Sequence, residues 1–494
     1  LDFEGNPDQE IKGLAYDSRR VEPGYLFVAV KGHKEDGTNF LQDAIRRGAV
    51  ALIAEGFPSV ETGVSKIHVL NSREALSKLA LKFYNYPLKN INLIGITGTN
   101  GKTTTSYLLE SILLTAGMKP GVLGTINYRY MGKVHKASVT TPESLDLMRL
   151  LRDMVDEGVT DVIMEVSSHA LDQKRTRHCP FRVGIFTNFS RDHLDYHGTM
   201  EDYFKAKSLL FKDLPKWNLS ENETYAVINM DDAKGGVLAG LTKARVISYG
   251  LNVTCHVRAE SISANKTGLK AKLVTPFGHR EIRSHLLGEM NIYNILAASA
   301  AALSLKIPLD AVIEGIDHLR GVPGRLEKVG DNRGIMIVVD YAHTPDALLK
   351  TLKTLRPLSE GRLITVFGCG GDRDRGKRYE MGFVVGKNTD LAIITSDNPR
   401  GEDPLSIIAQ IQKGIEEAAL KRLDLTHQGE ILKTGYFIEE DRRKAIEKAI
   451  SMACRKDLVL IAGKGHEDYQ IIGSKTIHFD DREEADKAVS QLIK

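Results

Sequence analysis

Apolar positions along the chain follow two periods, and their alternation sets out most of the architecture. Ile91, Leu93, Ile94 and Ile96 form a short apolar run that predicts a buried strand, and Tyr107, Leu108, Leu109, Ile112 and Leu113 recur at the spacing of one helical face. Over residues 1–88, runs such as YLFVAV and AVALIAE alternate with turn clusters, which predicts a small α/β unit. From 91 to about 320, apolar strands alternate with helical patterns, as in a largely parallel sheet. Within that stretch, 253–287 changes to strand-like alternation with turns at NKTG and PFGH, predicting an antiparallel hairpin insertion before an Ala-rich helix at 291–305. NYPLKN at 85–90 and GVPGRLEKVG at 321–330 read as linkers. Beyond them IMIVVDYAHTPD, RLITVFGCGGDRD, LAIITSDNPR and DLVLIAGKGHED each run an apolar strand into a glycine-rich or charged loop. Ligands of open α/β sheets bind at such strand ends, so these loops are either a second site or solvated connections. The expectation is an α/β protein of three domains, 1–88, 89–322 and 323–494.

Composition narrows the class without changing the plan. A chain of 494 residues is too long for one core, and 42% hydrophobic with 27% charged residues describes a soluble globular protein. The net charge of +3 implies no field for nucleic acid or a membrane surface, and no apolar stretch reaches the ~18 residues of a spanning helix. Cys179, Cys255, Cys369 and Cys454 are far apart with no C-x-x-C pair, which argues against a zinc cage or a disulfide framework and fits a reducing cytoplasm. The visible N-terminus, LDFEGNPDQE, is acidic and has no signal-peptide character. No repeat of fixed period or low-complexity tract interrupts the chain.

GITGTNGKTTT, residues 95–105, joins the predicted strand to the predicted helix. Gly98 and Gly101 let backbone N–H groups converge on an anion at the helix N-terminus. Lys102 can neutralise β- and γ-phosphates, and the Thr103 hydroxyl can ligate Mg²⁺. The usual G-x-x-x-x-G-K-[ST] pattern would put its first glycine at Ile96, whereas Gly95 stands one residue early. A plain strand-to-helix turn is the bland alternative. The coincidence of both glycines, Lys102 and Thr103 at one junction points to a nucleotide phosphate site.

Further chemistry gathers downstream. The run Val162–Met164 ends at Glu165, a strand-end acid of the kind that serves Mg²⁺–nucleotide, and Ser167, Ser168 and His169 follow directly. The next strand, FRVGIFTNFS, delivers RDHLDYHG with Asp192, His193, Asp195 and His197. Mg²⁺–phosphate chemistry, a hydrogen-bonded structural loop and zinc are the alternatives there. Against zinc stand the missing H-E-x-x-H, the missing cysteine partner and the helix-interrupting Gly198. In YFKAKSLLF, residues 203–211, Tyr203, Lys207, Leu210 and Phe211 share one helical face, so Lys207 points inward and Lys205 away. An inward lysine is either snorkelling or salt-bridged, or its desolvation yields a neutral amine. Such an amine can take up carbon dioxide as a carbamate, a bidentate oxygen ligand for a second magnesium.

Taken in order, TGTNGKTT, EVSSHAL, NFSRDHLDYHGT, YFKAKSLLF, GRLE, DYAHTPDAL, GDRDRGKR and AGKGHE resemble the Mur ligase family of peptidoglycan synthesis. With DSRRVEPGYLFVAVKG and HKEDG in the first domain, the resemblance covers essentially the whole chain, and the family's P-loop carries the same shifted glycine. The resemblance implies an N-terminal UDP-binding domain, a central P-loop ATPase domain and a C-terminal Rossmann-like domain, in a cytoplasmic monomer. It implies that Gly98, Thr99, Asn100, Gly101, Lys102, Thr103 and Thr104 hold ATP, joined by Asn291, Arg325, Asp340 and His343. Thr103, Glu165, His193 and carbamylated Lys207 would arrange two Mg²⁺ ions, with Lys102, Glu165, His193 and Lys207 as the catalytic set. Ser18, Thr140, Thr141, Ser167, Gln173 and Arg175 would bind UDP-N-acetylmuramoyl-L-alanyl-D-glutamate. Val139 stands where relatives often carry asparagine, which departs from the family's pattern at that contact.

The implied reaction transfers the γ-phosphate to the D-glutamyl carboxylate, and an incoming amine then attacks the acyl phosphate. Closure of the third domain on the central one is expected to bring the reactants together and exclude water. Lysine and meso-diaminopimelate differ by one carboxylate, whose burial calls for a cation. Arg400 in SDNPRGEDP offers a planar fork for it, and in the family a DNPR loop such as Asp397, Asn398, Pro399 and Arg400 marks the diaminopimelate enzymes. Arg373, Gly463 and Glu467 would hold the reacting end. The alternatives are the same reaction with L-lysine, a folylpolyglutamate synthetase, which leaves the first domain unexplained, and a P-loop hydrolase or nucleotide switch.

Overall fold

The computed structural model describes residues 2–32, 35–58, 63–214, 224–330, 334–423 and 434–491. His33 and Lys34 of the HKEDG motif lie outside them. Contacts divide the chain into two compact units, Leu1–His256 with Ala297–Pro308, and Val257–Leu296 with Leu309–Lys494.

The first unit begins with a five-stranded sheet in the order Asp2–Glu4, Ser65–His68, Ala49–Ala54, Tyr25–Val28, Gly13–Ala15. Its alternation decides which face each side chain serves. Phe27, Leu52 and Ala54 pack with Leu41 and Ala44 of helix Leu41–Arg46, while Leu26, Val28, Ala51 and Ile53 join Leu76 and Ala80 of helix Ser72–Phe83. The joint expected at 85–90 contains a 3₁₀ turn, Pro87–Asn90, entered through left-handed Asn85 and Tyr86.

The larger sheet of this unit runs Arg245–Gly250, Tyr225–Asn229, Phe181–Phe186, Asn92–Thr97, Asp161–Glu165, Pro120–Leu123, Asn127–Tyr130, Lys133–Lys136. Neighbours are parallel up to Pro120–Leu123, and the remaining two strands are antiparallel. Leu93 to Thr97 are all buried, as expected of a central parallel strand covered on both faces. In register, Glu165 lies beside Ile96 and Phe186 beside Thr97, so these strands end together at one carboxyl edge. The helices Lys102–Thr115 and Met200–Asp213 start there, the second capped by Thr199, whose hydroxyl accepts the Asp202 N–H at 3.1 Å.

In the second unit, Val257–Asn265, Gly268–Thr275 and Gly278–Ser284 form an antiparallel meander whose turns fall at NKTG and PFGH, as the pattern predicts. The Ala-rich helix is Met290–Ser304, and it runs across the division between the units. A six-stranded sheet follows in the order Glu327–Lys328, Met336–Asp340, Leu458–Ala462, Leu363–Phe367, Leu391–Ile394, Gly435–Ile438, parallel except for the first pair. Val338, Leu363, Leu458 and Leu460 pack with Leu352, Met381 and Ile411 of helices Pro345–Leu355, Gly376–Asn388 and Pro404–Glu417. Ile337, Val339, Val459 and Ile461 face the other way, onto Ile446 and Ala485 of helices Arg442–Met452 and Asp481–Gln491. The sheet is thus doubly wound.

The segment expected as a second linker is anchored in this unit. The Leu326 N–H donates to Asp340 Oδ2 at 2.8 Å, Glu327 and Lys328 pair with Val339 and Val338, and a Cβ on Gly324 would lie 2.1 Å from the His466 nitrogen. Gly324 thus lies in close contact with the backbone of the strand-end loop at Gly465 and His466. Among the described residues no helix is long and apolar enough to cross a membrane.

Candidate functional site

The turn after strand Asn92–Thr97 is set by sterics. Gly98 has φ +143°, and a Cβ there would sit 2.0 Å from Thr187 Oγ1, so only glycine lets the turn pack on the end of the neighbouring strand. Thr187 Oγ1 donates to the Asn100 carbonyl at 2.7 Å, and Asn188 brackets the same residue, accepting its N–H at 2.9 Å. Gly101, left-handed at φ 86°, starts the helix, leaving the first-turn N–H groups at an N-terminus suited to anions. Lys102 folds back, its Nζ donating to the Gly98 and Thr99 carbonyls at 2.9 Å each. Thr104 is buried in the first helical turn.

Glu165, 1% exposed, is held by three donors. The Thr103 hydroxyl reaches its Oε2 at 3.0 Å, the Thr125 hydroxyl reaches Oε2 at 2.9 Å, and the Thr125 N–H reaches Oε1 at 3.1 Å. Thr125 Oγ1 also meets Thr140 Oγ1 at 3.1 Å. A carboxylate has no hydrogen to give, so the Thr125 hydroxyl donates to Glu165 and accepts from Thr140.

Lys207 lies inward as its helical spacing predicts, beside buried Tyr203, Leu210 and Phe211, whereas Lys205 is exposed. The Lys207 ammonium is fully buried, donates to the Gly98 carbonyl at 2.9 Å and stands 4.5 Å from the Tyr203 ring centre. Burial, reinforced by repulsion from Lys102, pushes its pKa well below the ordinary lysine value. His193, left-handed at φ 53°, caps the short helix Leu194–His197, which ends at Gly198. Its ring lies edge-on to His169 at 4.9 Å, and burial lowers its pKa. Among the described residues no group of three or more His, Cys, Asp or Glu side chains is placed to hold a metal ion.

The residues expected for the UDP-dipeptide gather beside Glu165, with one exception. Thr141 donates to the Glu165 carbonyl at 2.8 Å and accepts the Ser167 N–H at 3.0 Å, and Arg175 donates to the Thr141 carbonyl at 2.9 Å and to Gln173 Oε1 at 2.7 Å. A cleft of about 490 Å³ opens next to them, lined by Tyr16, Arg20, Tyr128, Lys136, Val139 and Arg175 among others. Ser18 is buried, and its hydroxyl is engaged by Asp43.

In the second unit the expected residues fall into two sets. Arg325 lies over the Tyr341 ring at 4.5 Å, and His343 and His466 flank that ring at 4.5 and 4.9 Å. Asp340 accepts from Leu326 N, Ala342 N and Thr351 Oγ1 at 2.8, 2.9 and 3.1 Å, so its carboxylate is largely engaged within the fold. Asn291 donates to the Leu287 carbonyl at 2.7 Å and accepts from Asn294 at 2.7 Å.

The other set surrounds Asp397–Arg400. Asp397 is buried over Gly463, where a Cβ would come within 2.7 Å of its Oδ2. Burial alone would raise its pKa, but the Lys464 ammonium and the Arg442 guanidinium outweigh it and hold Asp397 below the usual carboxylate value. Asn398 Nδ2 donates to Glu467 Oε2 at 3.0 Å, and Arg400 Nη1 donates to the Gly371 carbonyl at 2.8 Å. Burial raises the Glu467 pKa, opposed by Lys464, whose Nζ lies 3.3 Å from Oε2. Arg373 is exposed, with Nη1 on the Asp372 carbonyl at 3.1 Å.

Sequence reasoning missed Thr125, Asn188 and Lys464. Lys464 stands inside AGKGHE, where a lysine at a strand end is a usable signal, but nothing local marks Thr125 as a partner of Glu165.

Family models match nearly the whole length: the Mur ligase family catalytic domain at 10–84, the Mur ligase middle domain at 96–302 and the Mur ligase glutamate ligase domain at 324–465. The chain belongs to the Mur ligase family. This Mur ligase is 49% identical over 482 residues to the UDP-N-acetylmuramoyl-L-alanyl-D-glutamate--2,6-diaminopimelate ligase of Geobacter sulfurreducens, covering 97% of this chain and 95% of that one. A solved structure of a ligase with the same name superposes with TM-score 0.68 at 33% identity, covering 98% and 96% of the two chains. A folylpolyglutamate synthase from Mycobacterium tuberculosis, complexed with ADP and AMPPCP, shares the fold at 18% identity and TM-score 0.63. It covers 79% of this chain against 92% of its own, so this Mur ligase carries structure which that synthase lacks.

Proposed function

We propose that the protein is an ATP-dependent ligase that joins meso-2,6-diaminopimelate to the D-glutamyl carboxylate of UDP-N-acetylmuramoyl-L-alanyl-D-glutamate, in the cytoplasmic synthesis of peptidoglycan precursors. The observation that carries the reading is Lys207, a fully buried amine on the Gly98 carbonyl of the phosphate turn, in a chain with the full-length relatives named above.

Gly98 to Thr104 bind the ATP phosphates, and Lys102 swings from the Gly98 and Thr99 carbonyls onto them. Asn291, Arg325, Asp340 and His343 are assigned as further ATP contacts. The Thr103 hydroxyl and the Glu165 carboxylate, 3.0 Å apart, are hard oxygen donors that suit Mg²⁺, with His193 and carbamylated Lys207 completing a two-ion set. The carbamate forms when the neutral amine attacks carbon dioxide: an N–C bond is made, one amine proton leaves, and one N–H is kept for the Gly98 carbonyl. Bound Mg²⁺ offsets the charge that gathers on phosphoryl oxygens.

Thr140, Thr141, Ser167, Gln173 and Arg175, with Ser18, hold the acceptor so that its D-glutamyl carboxylate takes the γ-phosphoryl group while ADP leaves. The amine attacks the acyl carbon, and the tetrahedral intermediate collapses with loss of phosphate. Arg400 pairs with the distal carboxylate of diaminopimelate, while Asp397, Asn398, Pro399, Arg373, Gly463 and Glu467 hold the remainder.

Mass spectrometry of products from UDP-dipeptide, ATP and a panel of diamino acids, run alongside phosphate release, tests the reading. A tripeptide formed with diaminopimelate and phosphate release that needs both substrates are expected. Release without an amine would instead identify a hydrolase or switch, and equal use of lysine would defeat the assignment of Arg400.

A further inference from the structure

The hairpin Tyr469–Ile472 with Lys475–His478 stands outside the sheets of the second unit, yet Gln470 and Ile471 of its first strand and Gly473 of its turn are bonded to the Asp397–Arg400 loop. Gln470, 6% exposed, donates its Nε2–H to the Asp397 carbonyl at 2.7 Å. The Ile471 N–H donates to Asn398 Oδ1 at 3.0 Å, and the Arg400 N–H returns a bond to the Ile471 carbonyl at 3.1 Å. The Gly473 N–H then donates to the Arg400 carbonyl at 2.8 Å. These bonds hold Arg400 at φ 52°, a left-handed conformation that a non-glycine residue rarely adopts and that needs outside support.

The same bonds fix Asn398. Its Oδ1 faces two donors, Ile471 N and Lys464 Nζ at 3.4 Å, and its Nδ2 faces the Glu467 carboxylate, so its amide is oriented by the protein before any ligand arrives.

We propose that this hairpin is the device that sets amino-acid selectivity, and that Gln470 is its positioning residue: by fixing the carbonyl of Asp397 it sets the loop that presents Arg400 and Asp397 to the incoming amino acid. The inference rests on the ligase reading above, because it concerns the substrate assigned to that loop. Gln470 acts through the backbone it holds, since its amide N–H is engaged by Asp397. Removing the N–H leaves a buried carbonyl without its partner and loosens the loop. A carboxylate gripped by a planar guanidinium loses most from such loosening, whereas lysine, which lacks that carboxylate, loses little.

The test compares the unmodified enzyme with Gln470→Leu and Gln470→Glu. Leucine removes the donor, and glutamate keeps the shape but cannot donate at neutral pH. For both variants the KM for diaminopimelate is expected to rise by on the order of tenfold or more, with kcat changed by less than about threefold. The diaminopimelate-to-lysine ratio of kcat/KM should fall by on the order of tenfold, with the KM values for ATP and UDP-dipeptide unchanged. Should the leucine variant fail to fold, the glutamate variant carries the same expectations, and unchanged ATP binding reports its fold. A ratio that stays at the unmodified value overturns the hairpin's role while leaving the ligase reading intact. An unmodified enzyme that uses lysine as well as diaminopimelate overturns both the hairpin's role and the assignment of Arg400, and phosphate release without any amine overturns the ligase reading itself.

Discussion

At residues 95–105 the groups proposed to face an anion belong to a single strand, turn and helix, whereas those proposed around the amino acid come from Asp397–Arg400 and from Glu467, 69 residues beyond Asn398. The turn itself is pinned by Thr187 and Asn188 at the end of the adjacent parallel strand and by Lys207 on the Gly98 carbonyl. The Asp397–Arg400 loop, the proposed amino-acid loop, has more such partners: Gly371 N–H on the Asn398 carbonyl at 2.9 Å, Gly401 N–H on Asp372 Oδ2 at 2.9 Å, Lys464 on Asn398, and Gln470 and Ile471 of the hairpin. On the proposed assignment the first takes a group common to every nucleotide, and one contiguous segment can supply its donors. The second, on the same assignment, separates two amino acids that differ at one end, and that calls for a frame in which every charge has a fixed place.

The largest effect belongs to the phosphate side. Lys207→Ala should cut turnover by on the order of 10³-fold or more, the few kcal/mol that charge stabilisation at phosphoryl oxygens supplies, and a short carboxylate in solution should restore part of it. Incorporation of ¹³C from bicarbonate, read by NMR, checks the carbamate directly. Full activity in bicarbonate-free buffer would break the contrast, because Lys207 would then be a packing residue.

Arg400→Ala comes next. It should lower kcat/KM for diaminopimelate by on the order of 10³-fold, since a buried carboxylate loses its partner, with ATP affinity within about twofold. Isothermal titration with an ATP analogue measures the second quantity. A matching fall in ATP affinity would mean that the two regions are not independent.

Thr125→Val is expected to be milder. It deletes one hydrogen bond to the Glu165 carboxylate and keeps the Thr125 N–H bond, so kcat should fall by roughly tenfold. Because Thr125 also accepts from Thr140, the KM for UDP-dipeptide should rise in the same variant. An unchanged KM would remove the link between Glu165 and the acceptor side.

The smallest effect is on stability. His466 is half-buried against Tyr341 with its Nδ1 unbonded among the described residues, and desolvation followed by repulsion from Arg325 lowers its pKa from 6.5 to about 3. The unfolded chain therefore binds this proton more readily, and the neutral ring's contribution is complete above about pH 6.5 and is lost as pH falls from there toward about 3. Between pH 7.5 and pH 5 the second unit should lose on the order of 2 kcal/mol, read as a falling melting temperature. His466→Phe should flatten that dependence, and an unaltered slope would count against it.

Much of this was legible along the chain, and the limit has a physical cause. The strand before Gly98, the helix after it and the inward face of Lys207 follow from spacing, because a helix repeats within four residues and a buried strand is a continuous apolar run. Gly463 and Glu467 stand at strand ends that the apolar runs predict. Thr125 does not, since its partner Glu165 is 40 residues on and the bond depends on which strands are neighbours. Gln470 is hidden for the same reason, and so is the close contact of Gly324 with the His466 backbone, because composition records glycine but not the backbone it lies against.

The clasp of strand Tyr469–Ile472 on the amino-acid loop also has a consequence in time. Ribosomes add about 5–20 residues per second, so the 73 positions between Asp397 and Gln470 take on the order of four to fifteen seconds to make. During that interval Thr187 and Asn188 have long since emerged and can close on the phosphate turn, while the Asp397–Arg400 loop has no strand to set it. On the proposed assignment, the nascent chain thus gains its grip on the energy source before its judgement of the building block.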